Sequence, residues 1–216
     1  MKKLFFVLFM ALSVGAFAQL NNGDMSKYLA KDAVVLRDGY VVFSDTIALI
    51  DNCTESQIKD VALTWLKGYL GKYDKGRNRI ISNVPGKIVA VGDMQIVFTS
   101  NAFAFDKAQM SYALTINYTA DECSMEISRI RYVYDEKDII GRYTAEQYIT
   151  DEAAVNKSRT KLTPVTGKFR KKTIDVVDEI FASFNEGLKY YSKRGMAEIL
   201  KNAPQLMQQQ NAQPAR

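Results

Sequence analysis

The chain has 216 residues, with 29 lysines and arginines against 24 aspartates and glutamates, no histidine and two cysteines. The lack of histidine excludes Ser-His-Asp and Cys-His catalysis and imidazole-built metal sites, and two cysteines cannot form a thiolate cluster. A net charge of +5 is too small for the clustered basic face of a nucleic-acid binder, and the length suits one domain with a real core.

The chain opens "MKKLFFVLFMALSVGAFAQ". Lys2 and Lys3 precede an apolar run from Leu4 to Val14, and Ala16-Phe17-Ala18 supplies the small residues of a cleavage signal. The run is shorter than the roughly 20 residues a bilayer span needs. Residues 1–18 therefore read as a signal peptide cleaved after Ala18, and the protein as exported, periplasmic or secreted, and not membrane-spanning. No cysteine follows the apolar run, which argues against a lipoprotein anchor. Losing Lys2 and Lys3 lowers the 29 bases to 27 against 24 acids, or +3. Residues 19–33 read as an N-terminal extension.

"GYVVFSDTIALI" is a strand by its β-branched and aromatic content. "TESQIKDVALTWLKGYLG" is an amphipathic helix, capped by Thr54 and Gln57 and ending near Gly71. Ile58, Val61, Ala62, Trp65, Leu66 and Tyr69 form its apolar stripe, with Trp65 as a core anchor. "NRIISNV", a Pro85-Gly86 turn and "KIVAVGDMQIVFTS" give two more strands. In the last, Ile88, Ala90, Met94, Ile96 and Phe98 share a face, and Gly92 suggests a bulge or bend. "QMSYALTINY" alternates: Met110, Tyr112, Leu114, Ile116 and Tyr118 face one way, and Ser111, Ala113, Thr115 and Asn117 the other. Such a strand belongs to a sheet covered on one side. "CSMEISRIRYVY" changes apolar phase between Ile127 and Ile130, the mark of a further bulge.

Residues 136–172 read as a polar insertion, with a short helix within "TAEQYITDEAAV". "TIDVVDEIFASFNEGLKYYSKRG" is a long helix with Thr173 as N-cap and Asp175 in its first turn. Ile174, Val177, Phe181, Phe184, Leu188 and Tyr191 form its stripe, and Lys193 to Gly195 close it. Residues 195–216, rich in Gln, Asn, Ala and Pro, read as a disordered tail. The order is strand, helix, four strands, polar insertion, helix, which makes an α+β protein of five strands.

The helix "IKDVALTWLKGYL" followed by "RIISNVPGKIVAVGDM", then "AEQYITDEAAVNKSRTKL" leading into "GKFRKKTIDVVDEIF", resembles a family of exported Bacteroidetes proteins. That family is a domain of unknown function with a TATA-binding-protein-like (TBP-like) fold. The resemblance runs from about Val34 to Ser192. It implies a single domain over 34–194, a curved antiparallel sheet with both helices on one face, and no catalytic residues or ligand to carry over. The TATA-binding protein grips DNA with a paired saddle, aromatic wedges and basic residues. One unit, an export signal and a mild charge argue against DNA binding here.

Glu146, Asp151 and Glu152 suggest the carboxylate pair of a glycosidase, but no cleft or sugar platform accompanies them, and a solvated surface is the plainer reading. Lys157, Arg159, Lys161, Lys168, Arg170, Lys171 and Lys172 are either a contact for anionic lipid or polysaccharide or an ordinary solvated run. If the first and fifth strands pair antiparallel, as the resemblance suggests, Cys53 and Cys123 meet as a disulfide; the alternative is two small buried thiols. Asp45-Thr46-Ile47 matches a short glycosylation pattern of Bacteroidetes, as three-residue patterns often do by chance. The expected function is a non-enzymatic interaction module without cofactor or metal. Its uncovered sheet face, carrying Ser111, Thr115 and Asn117, meets a protein or envelope component. The alternative is a small-ligand or lipid carrier, with Tyr112, Tyr118 and Phe184 lining an apolar cavity between sheet and C-terminal helix.

Overall fold

The computed structural model describes residues 25–73, 76–100, 105–136 and 139–201. The leader at 1–18, residues 19–24 of the expected extension and residues 202–216 of the expected tail lie outside them. Among the described residues seven strands form one antiparallel sheet: β1 (Val35–Arg37), β2 (Tyr40–Ala48), β3 (Arg79–Val84), β4 (Lys87–Ser100), β5 (Phe105–Tyr118), β6 (Glu122–Glu136) and β7 (Ile139–Thr144). The order is β1-β2-β6-β5-β4-β3, and β7 pairs with β6.

The expected count of five strands is thus corrected to seven. β1 is a three-residue strand turned onto β2 by Asp38-Gly39, whose φ angles of 52° and 79° suit a two-residue hairpin matched to strand twist. β7 lies within the expected polar insertion and pairs with Arg131–Glu136, the second half of β6. β2 pairs with the first half, up to Ser128. Between the halves Arg129 has φ 55°, and the β5–β6 register slips there, from Ser111↔Arg131 to Ala113↔Ser128. One extra residue on β6 flips the phase, so Cys123, Met125 and Ile127 are buried before it and Ile130, Tyr132 and Tyr134 after it. This is the bulge expected from the sequence.

Gly92 is not a bulge. It pairs in register with Tyr112, and a β-carbon there would collide with the Tyr112 ring. The glycine lets the ring lie across the strand so that its hydroxyl meets that of Tyr69 at 2.8 Å. Burial pushes the Tyr112 phenol up to about 12, against the lowering effect of its bond to Tyr69.

Two long helices cover the same side of the sheet. These are α2 (Glu55–Leu70) and α5 (Thr166–Gly187); three short ones, α1 (Ser26–Leu29), α3 (Ala145–Tyr148) and α4 (Asp151–Ala154), pack around them, and residues 193–201 are helical. α2 begins with the expected capping box. Trp65 stacks on Tyr69 at 5.1 Å, meets Phe184 edge-on at 5.0 Å and donates its indole N–H to Ser183. It joins α2 to α5 from the half-buried margin of the core, short of the fully buried anchor expected.

α5 starts seven residues before the expected Thr173 cap. Phe169 is fully buried and touches the rings of Phe98, Tyr132, Tyr134 and Tyr148 at 4.6–5.3 Å, and burying that ring winds the basic segment into the helix. Thr173 is buried mid-helix, where its hydroxyl meets that of Tyr132 at 2.7 Å. The helix also stops early, at Gly187, because Ser192 bridges to Leu49 and the chain must leave helical form to do so.

Candidate functional site

The polar stretch after β7 tempts a catalytic reading, and several of its side chains are held in structural contacts. Arg170 is fully buried; its guanidinium donates to the carbonyls of Tyr28 (2.6 Å), Ile149 (2.8 Å) and Ala30 (3.2 Å) and pairs with Asp151 at 2.9 Å. Asp151 also pairs with Arg159, which in turn donates to the carbonyl of Leu29. Glu146 accepts the Val41 N–H at 2.8 Å. Burial pushes its carboxyl up, but the N–H groups of Val41 and Glu146, the Thr144 hydroxyl and the charge of Arg129 hold it below the usual range. Glu152 is exposed.

The bases are divided in the same way. Lys168 sits between Asp106 (2.7 Å) and the Tyr134 hydroxyl (2.8 Å), over the Phe98 and Tyr134 rings. Lys171 lies 3.5 Å from Asp175. Asp175 accepts from Tyr28 (2.6 Å) and pairs with Lys27 (2.9 Å), which fastens α1 to α5. The segment is therefore a clamp that draws residues 27–30 onto the long helix. Residues 25–33 belong to the fold rather than to an extension. Lys157 and Lys161 remain on the surface.

Cys53 and Cys123 are free and buried. Cys123 pairs across β2 with Ile47, whereas Cys53 lies beyond the strand end, before the α2 cap, with its thiol 3.9 Å from the Tyr191 carbonyl. The structure thus holds two small buried thiols in place of the disulfide. Ser111, Thr115 and Asn117 lie on the uncovered face, the first two half-buried and Asn117 exposed. Several of the face's charges are engaged: Arg37 pairs with Glu126 (2.8 Å), Arg77 with Asp93 (3.6 Å), and the Arg129 guanidinium lies 3.7 Å from the centre of the Tyr40 ring. Tyr112, Tyr118 and Phe184 are buried against neighbouring side chains.

The less satisfied surface runs beside β2. Leu49 donates to Asp121, and Thr119 to Glu122. Hydrogen-bonded pairs alternate along an antiparallel ladder, so Phe43, Asp45 and Ile47 bond to β6. Tyr40, Val42, Ser44, Thr46 and Ala48 then direct their backbone groups away from it. β1 takes up Tyr40 and Val42 only, and the next closure is the Leu49–Ser192 bridge. Ser44 and Thr46 are left as an unpaired edge among the described residues.

That edge forms one wall of a groove whose other wall is α5. One lobe, of about 360 Å³, lies by Val35, Phe43, Ile174 and Val177; the other, of about 480 Å³, lies by Asp45, Ala182, Asn185 and Arg194. Asp178 and Phe181 are shared by both. In the larger lobe Asn185 donates to Asp45 at 2.9 Å, and its own buried carbonyl oxygen receives no hydrogen bond. Sequence reading missed the groove, since nothing in "VVFSDTIAL" states how much of its edge a neighbour covers.

A family model described as a domain of unknown function with TBP-like fold, DUF4468, matches residues 43–133. A DUF4468 family protein from Bacteroides ovatus, known from its crystal structure, is 32% identical, with a TM-score of 0.71 over 77% of this chain and 95% of its own. This chain belongs to the DUF4468 family. A TBP-like protein from Parabacteroides distasonis, 21% identical, has the same fold at a TM-score of 0.58 over 73% of this chain and 98% of its own. No curated protein matches the sequence. The DUF4468 match begins within β2 and ends within β6, so it takes in the sheet wall of the groove and leaves α5 outside. Among the described residues no helix is long and apolar enough to cross a membrane, and no cluster of acidic or thiol side chains could hold a metal ion.

Proposed function

We propose that this DUF4468 protein is an exported, non-enzymatic interaction module that grips a partner in the groove between β2 and α5. The observation that carries the reading is the unpaired backbone of Ser44 and Thr46, set in a groove wall opposite Phe181 and Asn185. Unpaired edges are normally blocked or covered. This one is held open by β1 on one side and the Ser192 bridge on the other. The uncovered sheet face with Ser111, Thr115 and Asn117 is the weaker contact surface, because Arg37 there pairs with Glu126 and Arg77 with Asp93, and its strands are paired on both sides. Export rests on the leader sequence. The non-enzymatic reading draws on Glu146, which accepts the Val41 N–H, and on Asp151, which is held in ion pairs with Arg159 and Arg170. The carrier alternative loses its lining, since Tyr112, Tyr118 and Phe184 are packed into the core.

A photo-reactive residue placed at Ala182, in the groove, is compared with one at Thr115, on the open face, in cells making the full chain. A single identified protein adduct at Ala182, absent at Thr115, is the expected result. Adducts at Thr115 alone would move the contact surface, and a stoichiometric small molecule in the purified protein would overturn the module reading.

A further inference from the structure

The groove's geometry restricts what can occupy it, and the following rests on the groove being the contact surface. We infer that it takes an extended segment of another polypeptide as an added strand beside β2, with an apolar residue opposite Phe43 and a lysine or arginine opposite Asp45.

The backbone groups of Ser44 and Thr46 match what a strand offers, and strand addition at an exposed edge is an established mode of peptide recognition. The gap in line with β1, between the residues of β2 paired with Val35 and Ser192, runs over six residues from Phe43 to Ala48, so it admits a segment of about five residues, about 17 Å long. Residues directly opposite one another share a sheet face. A guest side chain opposite Asp45 therefore points inward, toward α5. There it meets the Asp45 carboxylate, which the Asn185 amide holds in place from behind. Lys189 is drawn to Glu186 at 3.3 Å and Lys27 to Asp178 at 3.0 Å, and Arg194, which lines the same lobe, makes no ion pair with Asp45. Among the described residues no cation pairs with Asp45, and a guest cation completes the set. A guest side chain opposite Phe43 faces Ile174, Val177 and Phe181, which favours an apolar residue. An inward-pointing charge on an edge strand also discourages indiscriminate pairing, so Asp45 makes the edge selective. A second copy of this chain fits poorly: pairing Ser44 with Thr46 of the copy sets Asp45 against Asp45, and like charges directly opposite are unfavourable.

The probe is acetyl-Val-Thr-Lys-Thr-Val-amide, titrated into the isotope-labelled chain from Gln19 onward and followed by amide NMR. The Ser44 and Thr46 amides are expected to shift and become protected. The peptide with glutamate in place of lysine is expected to bind about tenfold more weakly, and one methylated at both threonine nitrogens not at all. Asp45→Asn should remove the lysine preference. Thr46→Pro should abolish binding while leaving the fold intact, because the Thr46 N–H is outside the ladder. Equal binding of the lysine and glutamate peptides, no response at Ser44 and Thr46, or protection that appears with protein concentration alone would each overturn the inference. Such a failure beside an intact adduct at Ala182 removes strand addition and spares the module; loss of the adduct removes the module itself.

Discussion

Replacing Arg170 with methionine tests the clamp that joins residues 27–30 to the long helix. The guanidinium is 0% exposed and serves three backbone carbonyls and Asp151, itself 26% exposed. Methionine fills much of the volume and supplies no donor. It leaves the carbonyls of Tyr28 and Ile149 undonated, that of Ala30 with the Ala33 N–H alone, and Asp151 with Arg159 alone. Removing one partner of a buried, bonded charge pair costs about 3–5 kcal/mol, a large share of a typical domain's stability. With a urea m-value of about 2 kcal/mol/M, the unfolding midpoint falls by about 2 M. Arg170→Lys keeps the charge but not the planar fork, so it recovers only part of the loss. Asp151→Asn costs less than either, since its carboxylate is partly solvated and Arg170 keeps its carbonyls. Equilibrium urea unfolding followed by tryptophan fluorescence reads all three, and hydrogen exchange should locate the loosening at residues 25–34. An Arg170→Met midpoint within about 0.5 M of wild type, equivalent to about 1 kcal/mol, would refute the clamp.

Gly92→Ala should cost about 1–3 kcal/mol through overpacking, because Tyr112 is buried and bonded to Tyr69 and cannot swing aside. Tyr112→Leu in the same chain should make the pair of changes cost less than their sum in urea unfolding. Acid should destabilise the fold through Glu146 and Asp175, whose folded carboxyls are held below their ordinary range. Their contribution is complete above the unfolded value of about 4 and is lost as pH falls through the lower folded value. Glu146→Gln keeps an acceptor for Val41 and should flatten that acid limb, which unfolding midpoints between pH 2 and 6 would show. Without reductant, thiol titration should find two thiols after denaturation and slow reaction before it, because burial pushes the Cys123 thiol up to about 12 and the Glu122 charge adds to this.

Much of the sheet was readable because its periodicity is strict. The alternation from Met110 to Tyr118 and the phase change before Ile130 each recur as burial in the fold. Thr54 and Gln57 announced the α2 cap by chemistry alone. The failures share a cause. β1 is three residues long, and "IIGRYT" of β7 carries no alternation, with Gly141 placed where the Tyr143 ring must lie. Arg170 reads as surface because arginine is seldom fully buried, and only the arriving carbonyls of α1 and α3 make it otherwise. Bases before Thr173 argue for a later helix start, yet burial of Phe169 among four rings outweighs that opposition. The groove depends on how far β1 extends along β2, a property of tertiary pairing and not of either segment.

The binding claim stands on an edge that is open in the free protein. Native-state hydrogen exchange of the amides from Phe43 to Ile47, read residue by residue in the isolated chain, tests it most directly. Slow exchange at Phe43, Asp45 and Ile47 with fast exchange at Ser44 and Thr46 is the expected pattern. Equal protection at all five would mean that the edge is already covered, and the groove would not be a docking site.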